Sequence, residues 1–430
     1  MNDRTVMKMK TTMQQGVKQL RNMAIDEYAS IPLGNVATFI RGINFKPDDV
    51  TTLGTPDTLA CMRTKNVQET LDLLDVWAVP KKFAKRADQI LQHGDILISS
   101  ANSWNLVGKC CWIPKLPCAA TFGGFVSVLR SDPEKVEPRY LYRWFSSDRV
   151  QNVVRSFGRQ TTNISNLDIS RCLTLPIPLP PIAEQKRIAA ILDKAEELRG
   201  LRRKALGELD AIVQSIFLEM FGSSLTNPKG WDWNKLGDIC AEIYRYPTFY
   251  GFEYQATGTP VARIGNILLD GRLDPDTSKY AFIDPTISKQ FPRTILEIED
   301  IVMAVRGDGS TAKRIGLVTS DNLIGANISP NLLRFKAKEK VSHPLFLFHF
   351  MISDVGQRVL ESNVSRTAKK TITAGGIKKI EIPLPPFPLQ QEFARRIKAI
   401  EHLKTTHRES LAQLNALFAS LQHRAFRGEL

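Results

Sequence analysis

The chain has six cysteines in 430 residues, and their spacing serves no recognisable chemistry. Cys61, Cys110, Cys111, Cys118, Cys172 and Cys240 include no CxxC pair, and no histidine stands at zinc-finger spacing from them. Cys110 and Cys111 are adjacent, which disfavours a bridge between them, so free thiols in a reducing cytoplasm are expected. The six histidines are scattered, and His402 and His407 lie five apart, the wrong interval for one face of a helix to chelate a metal. Long apolar runs are missing too. The best candidate, from Leu345 to Ile352, is interrupted by His349 and is too short to span a bilayer. Residues 1–21 carry lysines without an apolar centre, which excludes a secretory signal in that stretch. No membrane partner and a cytoplasmic location are expected.

Catalytic signatures are equally scarce. There is no GxGxxG and no Walker-type phosphate loop. Arg306-Gly307-Asp308-Gly309-Ser310 is glycine-rich but lacks the lysine spacing, and reads as a turn after a strand. Amino-methyltransferases hold a base with Asn or Asp followed by Pro-Pro-aromatic, and the nearest match here, Leu384-Pro385-Pro386-Phe387, lacks the polar first residue. Acid–lysine combinations such as Asp132-Pro-Glu134-Lys135 arise by chance in chains of this size. No catalytic residue and no bound metal are expected.

What is present is positive charge. Lysine and arginine number 58 against 44 acidic residues, a formal charge of +14. Such a surplus favours polyanions, nucleic acid before an anionic membrane, although it also serves solubility. With 43% hydrophobic and 24% charged residues the chain has the composition of a folded protein of two or three domains.

The sequence also repeats itself. Leu33-Gly34 matches Leu236-Gly237, and Arg63-Thr-Lys-Asn66-Val67 matches Arg263-Ile-Gly-Asn266-Ile267. Asp95-Ile96-Leu97 matches Asp300-Ile301-Val302, and the stretch from Tyr140 to Asp148 matches that from Phe346 to Asp354. Leu179-Pro180-Pro181 matches Leu384-Pro385-Pro386, and Phe221 matches Phe426. The near-constant offset marks a duplication of half the chain. Each half opens with short strands, such as Ile96 to Ser99 and Ile301 to Val305. Helical spacing follows at Tyr140 to Arg155 and Phe346 to Leu360. A proline cluster then stiffens a linker and opens a long helix. The first helix is predicted from Ala183 to Phe221, with a seam of Ile188, Ile191, Ala195, Leu198, Ala205, Leu209, Ile212, Ile216 and Met220. The second is predicted from Leu389 to Phe426, with Gly222 and Gly428 ending the pair. At 1.5 Å per residue each spans roughly 55–60 Å. Two matching seams in one chain favour an intramolecular antiparallel coiled coil over pairing with a second copy.

The expected fold is therefore α+β: two similar mixed α/β modules separated by two long helices. The expected boundaries are an appended segment 1–30, a first module 31–181, a spacer 182–222, a second module 231–386 and a second spacer 387–427. If each module reads a short DNA segment, two modules held apart by helices read a split target whose parts lie about one helical turn or a multiple apart. The modules differ, so the two half-sites should differ.

This layout, with Leu179-Pro180-Pro181-Ile182-Ala183-Glu184-Gln185 opening the first long helix, resembles the specificity subunit of type I restriction–modification systems. The second junction, Leu384 to Glu392, is similar but looser, reading as though it carried one extra residue with Gln390 in place of Glu184. Ile40-Arg41-Gly42, Phe221-Gly222 and Ala425-Phe426-Arg-Gly428 also match, and the resemblance covers residues 30 to 430. It implies two target-recognition domains on double-stranded DNA and a coiled coil that docks two methyltransferase subunits, joined by motor–nuclease restriction subunits. S-adenosylmethionine, ATP and magnesium would then act on those partners, none being bound by this chain, and an adenine in each half-site would accept the methyl group.

Phosphate contacts call for lysine, arginine and small polar groups, and base readout for arginine, asparagine and glutamine. Candidate DNA contacts are Arg41 and Lys46 after the first repeat start, with Arg245 between Tyr244 and Tyr246 at the equivalent place. Arg63 corresponds to Arg263; the alternative for that pair is a structural salt bridge serving the shared fold. Asn102 follows one strand and Arg306 its counterpart. Arg159, Gln160, Thr161 and Asn163 precede the first proline cluster, and Arg366, Lys369 and Lys370 the second. The basic residues of the long helices face DNA, partners or simply solvent. Two other functions stay open: the recognition subunit of a fused methyltransferase–nuclease, and an enzyme with divergent motifs.

Overall fold

The computed structural model describes residues 28–160, 164–222, 226–246, 253–305, 314–362 and 373–430; of Gln160 only the backbone is described. Contacts divide the chain into two compact units, one of residues 1–202 with 410–430 and one of residues 203–409. Each unit combines a mixed α/β module with part of both long helices.

In the first unit, Ala37–Arg41, Val126–Ser131, Ile96–Ser99 and Cys110–Trp112 form an antiparallel sheet in that spatial order. A second sheet sets Thr58–Met62 antiparallel to Trp77–Pro80 and parallel to Ala120–Phe122. The second unit repeats both. Cys240–Arg245, Leu332–Ala337, Ile301–Ala304 and Ile315–Leu317 take the same order, and Thr259–Ala262 again runs antiparallel to one neighbour, Ala281–Ile283, and parallel to the other, Asn327–Ile328. The central strands Ile96–Ser99 and Ile301–Ala304 are buried throughout, which explains their unbroken apolar sequence.

The duplication holds to the hydrogen bond. Asn66 Oδ1 accepts from the Arg63 N–H at 2.7 Å, and Asn266 Oδ1 from the Arg263 N–H at 2.9 Å. Each asparagine amide then reaches a carbonyl on the next strand's approach, Asp75 O at 3.1 Å and Lys279 O at 3.2 Å. The matched Asp95 and Asp300 are buried, and each binds an arginine at 2.7 Å: Arg130 in the first unit, Arg334 in the second. The arginines are not in matching register. Arg130 lies opposite Thr38, whereas Arg334 lies opposite Tyr244, two residues earlier along its strand and so on the same face.

Each stretch of helical spacing forms two helices. Pro138–Phe145 and Asp148–Ser156 meet at Ser146-Ser147, and Pro344–Ile352 and Asp354–Ser362 meet at Ser353. The serine hydroxyl bonds back to a carbonyl three residues earlier, Trp144 or Phe350, competing with helix continuation. The proline clusters are likewise not linkers alone. Pro176–Pro178 pairs with Ser30–Pro32, and Glu381–Leu384 with Asp232–Lys235, in two-stranded sheets where a missing N–H is tolerated.

The long helices run Ile182–Phe221 and Phe387–Ala425. Gly222 follows the first at φ +75°, a left-handed conformation that glycine adopts at no steric cost. The two junctions are in step, with no extra residue: Gln390 corresponds to Gln185, not to Glu184. Gln185 is buried, accepts the Glu137 N–H at 2.8 Å and donates to Pro180 O at 2.7 Å. Gln390 is buried, accepts the His343 N–H at 2.8 Å and donates to Pro385 O at 2.8 Å. Each glutamine ties the helix entry to the start of the helix pair beside it.

Within each unit the helices pack antiparallel. In the first, Ile188, Ala189, Leu192 and Ala195 share a core with Phe418, Ala425 and Phe426. In the second, Val213, Phe217, Met220 and Phe221 pack with Phe393, Ala394 and Ile397. The observed seam departs from the predicted one. Leu198 and Ile212 are exposed, while Arg199 and Lys404 take seam places. Arg199 donates to Asn415 at 2.7 Å, and the equivalent Lys404 pairs with Asp210 at 2.7 Å and with Glu401. Polar pairs at otherwise apolar seam positions specify register.

Candidate nucleic-acid interface

In each unit the strand ends that follow the sheet's apolar centre converge on one turn. In the first unit this turn is Gly123-Gly124-Phe125. Ile43 bonds beside it, its N–H reaching Phe122 O at 2.8 Å, and the Ser100 and Ala101 N–H groups both reach Phe125 O at 3.0 Å. Gly42 lies so close that a Cβ there would stand 2.2 Å from Gly123 O, so only glycine fits. Phe125 is 64% exposed at the tip of this pinned turn. In the second unit the turn is Ser329-Pro330-Asn331. Ser329 N–H bonds to Ala262 O at 2.8 Å, Val305 N–H to Asn331 O at 2.9 Å, and Arg245 Nε to Pro330 O at 2.9 Å.

Several candidate residues gather at these ends. Arg41 is exposed opposite Ser127, and Arg245 stands in the same register opposite Leu333. Lys46 is exposed on the next turn, its N–H bonded to Asp49. Of the neighbours of Arg245, Tyr246 is buried with its hydroxyl donating to Asn327, and Tyr244 lies under the Arg293 guanidinium. Asn102 joins a further sheet in which Gly158–Gln160, Ser165–Leu167 and Ala101–Asn102 are neighbours. That sheet brings Arg159 and the backbone of Gln160 to the same end, beside the exposed Trp104 and Ile164. Arg159 is 79% exposed and pairs with Asp168. Thr161, Asn163, Arg306, Arg366, Lys369 and Lys370 lie outside the described residues.

The repeat-matched arginines differ. Arg63 bonds Asp75 twice, through the carbonyl and a carboxylate oxygen, both at 3.0 Å, and its guanidinium lies 3.6 Å above the Trp77 ring. Hydrogen bonds from Lys65 and Arg63 hold the Asp75 carboxyl below its ordinary range. Arg63 is therefore committed to the fold, the alternative raised from sequence. In the second unit the strand register places Lys279 where the first has Asp75, and Ala281 where it has Trp77. Arg263 is exposed and lies 5.8 Å from the Tyr254 ring. With Tyr254, Lys279, Ser329 and Asn331 it lines an open groove of about 430 Å³. Sequence reasoning missed Phe125, Tyr254, Ser329 and Asn331; the repeat offset that aligns the two turns was the available signal.

Cys61, Cys111, Cys172 and Cys240 are buried with thiols pushed up to about 12 by desolvation, which keeps them protonated. Among the described residues no helix is long and apolar enough to cross a membrane.

A family model for the type I restriction modification DNA specificity domain matches residues 50–209 and 228–416. The chain belongs to this family. It is a type I DNA specificity subunit with two specificity domains, a recognition chain rather than an enzyme. It is 26% identical over 94% of its length to the StySPI specificity subunit of Salmonella potsdam, covering 89% of that protein. It is 24% identical over 93% of its length to the EcoKI specificity subunit of Escherichia coli, covering 88% of it. In fold it is similar to the type I restriction–modification S subunit from M. genitalium, with TM-score 0.52 and 14% identity over 94% of this chain and 97% of that one.

Proposed function

We propose that this specificity subunit brings two methyltransferase subunits and the motor–nuclease subunits of a type I system to a split DNA target whose two parts differ. One observation carries the reading: two modules share one topology and one hydrogen-bond frame, yet present different side chains at matched positions of the converging turn and of the strand approach beside it. Phe125 stands where Asn331 does, and Asp75 where Lys279 does. A common scaffold with diverged tips is what reading two unlike half-sites requires. The proposed DNA contacts are Arg41, Lys46, Asn102, Arg159, Gln160, Thr161 and Asn163 in the first domain. In the second they are Arg245, Arg263, Arg306, Arg366, Lys369 and Lys370. S-adenosylmethionine, ATP and magnesium belong to the partner subunits. The spacers dock those partners, and binding is salt-sensitive because phosphate neutralisation releases counterions.

The test is to co-express the chain with its neighbouring methyltransferase gene and map modified adenines by single-molecule sequencing. A split motif with one modified adenine on each strand and a constant gap supports the proposal. A short continuous motif, unchanged when this chain is omitted, overturns it. Co-purification of a single fused methyltransferase–nuclease would overturn the partner assignment alone.

A further inference from the structure

We infer that the groove in the second unit lined by Tyr254, Arg263, Lys279, Ser329 and Asn331 receives the edge of one base of the second half-site, with Arg263 and Asn331 as specificity determinants. This rests on the reading of the second domain as a DNA reader and names one of its contacts.

Three features point to a base edge. First, Ser329 is 2% exposed, lines the groove, and its Oγ has no hydrogen-bond partner among the described residues. A buried hydroxyl left unpaired is costly, and a ligand polar atom entering the groove would complete it. Second, Arg263 supplies a fork of donors and the exposed Asn331 an adjacent donor and acceptor, the side-chain types that bind base edges in the major groove. The Asn331 backbone is held by the bond from Val305 N–H, so the side chain is presented from a fixed position. Third, the groove is not simply cationic. Lys279 pairs with Asp274 at 2.8 Å and with Asp276 at 3.5 Å, and Asp274 itself lines the groove. Hydrogen bonding from Lys279 keeps the Asp274 carboxyl below its ordinary range, and therefore ionised. A carboxylate in the wall disfavours a phosphate and leaves a neutral, hydrogen-bonding edge as the better occupant.

The first unit lacks the ingredients in the same register. Gly123 stands for Ser329 and Phe125 for Asn331, and Arg63 is tied to Asp75 and Trp77. The second half-site should therefore be read at a position that the first domain reads by other means.

The experiment compares methylation motifs of the assembled methyltransferase carrying wild-type chain, Arg263→Ala, Arg263→Lys, Asn331→Ala or Lys279→Asp. Lys279→Asp sets beside Arg263 the carboxylate that ties up Arg63. Arg263→Lys keeps the charge and loses the fork. Each variant is expected to relax the motif at one base of one half-site, with discrimination there falling on the order of 5- to 100-fold and the other half-site unchanged. Thermal melting of each purified complex checks the fold; Arg263 and Asn331 are exposed, so little change is expected. Uniform weakening across all sites, with Arg263→Lys behaving as wild type, would mark a phosphate contact and overturn the inference. So would an unaltered motif in stably folded variants. A wild-type chain that directs no split motif would instead defeat the reading on which the inference rests.

Discussion

Arg63 and Arg263 follow the same strand in the two units and carry the same asparagine-capped turn, yet they have opposite fates. One is stacked on Trp77 and bound by Asp75; the other stands open above a groove beside Tyr254. The difference lies in two neighbours, Asp75 and Trp77 against Lys279 and Ala281, brought in by the antiparallel strand. A duplicated scaffold keeps its backbone hydrogen bonds, because losing one leaves a buried group unsatisfied, while the side chains at its tips are free to diverge. The same holds where the scaffold needs a charge. Asp95 and Asp300 are both neutralised by an arginine, but from strand positions two residues apart, so the contact is retained while the position that supplies it is not.

The strongest way to test this is at those buried pairs. Asp300→Ala takes from Arg334, 3% exposed, its nearest and most buried partner, leaving the more exposed Glu297 at 3.0 Å and Glu242 at 3.9 Å, and should destabilise the second unit by about 3 kcal/mol. Asp95→Ala should cost the first unit roughly half of that, because Arg130 is 18% exposed and water can reach it. Hydrogen exchange read by peptide mass spectrometry assigns each loss to its unit; equal losses would contradict the comparison.

A smaller and symmetric effect is expected at the helix junctions. Gln185→Ala and Gln390→Ala should each cost about 2–3 kcal/mol, since each strands a half-buried N–H and a buried proline carbonyl. Urea unfolding with a probe in each unit should return similar values, and a large asymmetry would show that the junctions are not equivalent.

The third expectation concerns pH. His349 stands at the position of Arg143, which pairs with Asp193 at 2.6 Å. Burial lowers the His349 pKa from 6.5 to about 3. The unfolded chain therefore takes up the proton first. The contribution of neutral His349 is complete above pH 6.5 and is lost as pH falls from there toward 3. Between pH 7 and pH 5 the second unit should lose about 1–2 kcal/mol, and His349→Leu should flatten that slope. The first unit carries no histidine at the matched position, so no such loss is expected there. A slope unaltered in the variant would remove His349 as its source.

The smallest effect is in the spacer. Gly200 and Gly207 lie in open space within the first long helix, where the second has Thr405 and Ala412. Gly200→Ala and Gly207→Ala should each stabilise the helix by about 0.5–1 kcal/mol, read as a higher Tm. Destabilisation would reveal a partner or a bend that needs glycine.

Much of this was legible in the chain. The offset between the halves followed from residues that hold the frame: Asn66 and Asn266, Asp95 and Asp300, Ser147 and Ser353. Their hydrogen bonds are local, or run to an adjacent strand, so the same residue recurs at the same spacing. The ends of the long helices were legible within one or two residues, because prolines and glycines act on the backbone they occupy. The seam was less so. Apolar spacing pointed to Leu198 and Ile212, whereas Arg199 and Lys404 occupy seam positions, since a long charged side chain can bury its stem while its head finds a partner across the seam.

Sequence by itself determined that this protein is two copies of one α/β module with a long helix after each, basic and without catalytic motifs, because periodicity, punctuation and charge are properties of the chain. Tertiary structure alone decided which of two matching arginines is spent on the fold and which faces a groove. That choice depends on what the neighbouring strand sets beside each one, Asp75 and Trp77 or Lys279 and Ala281. Strand register brings together residues more than ten positions apart, and no local pattern around Arg63 or Arg263 records it.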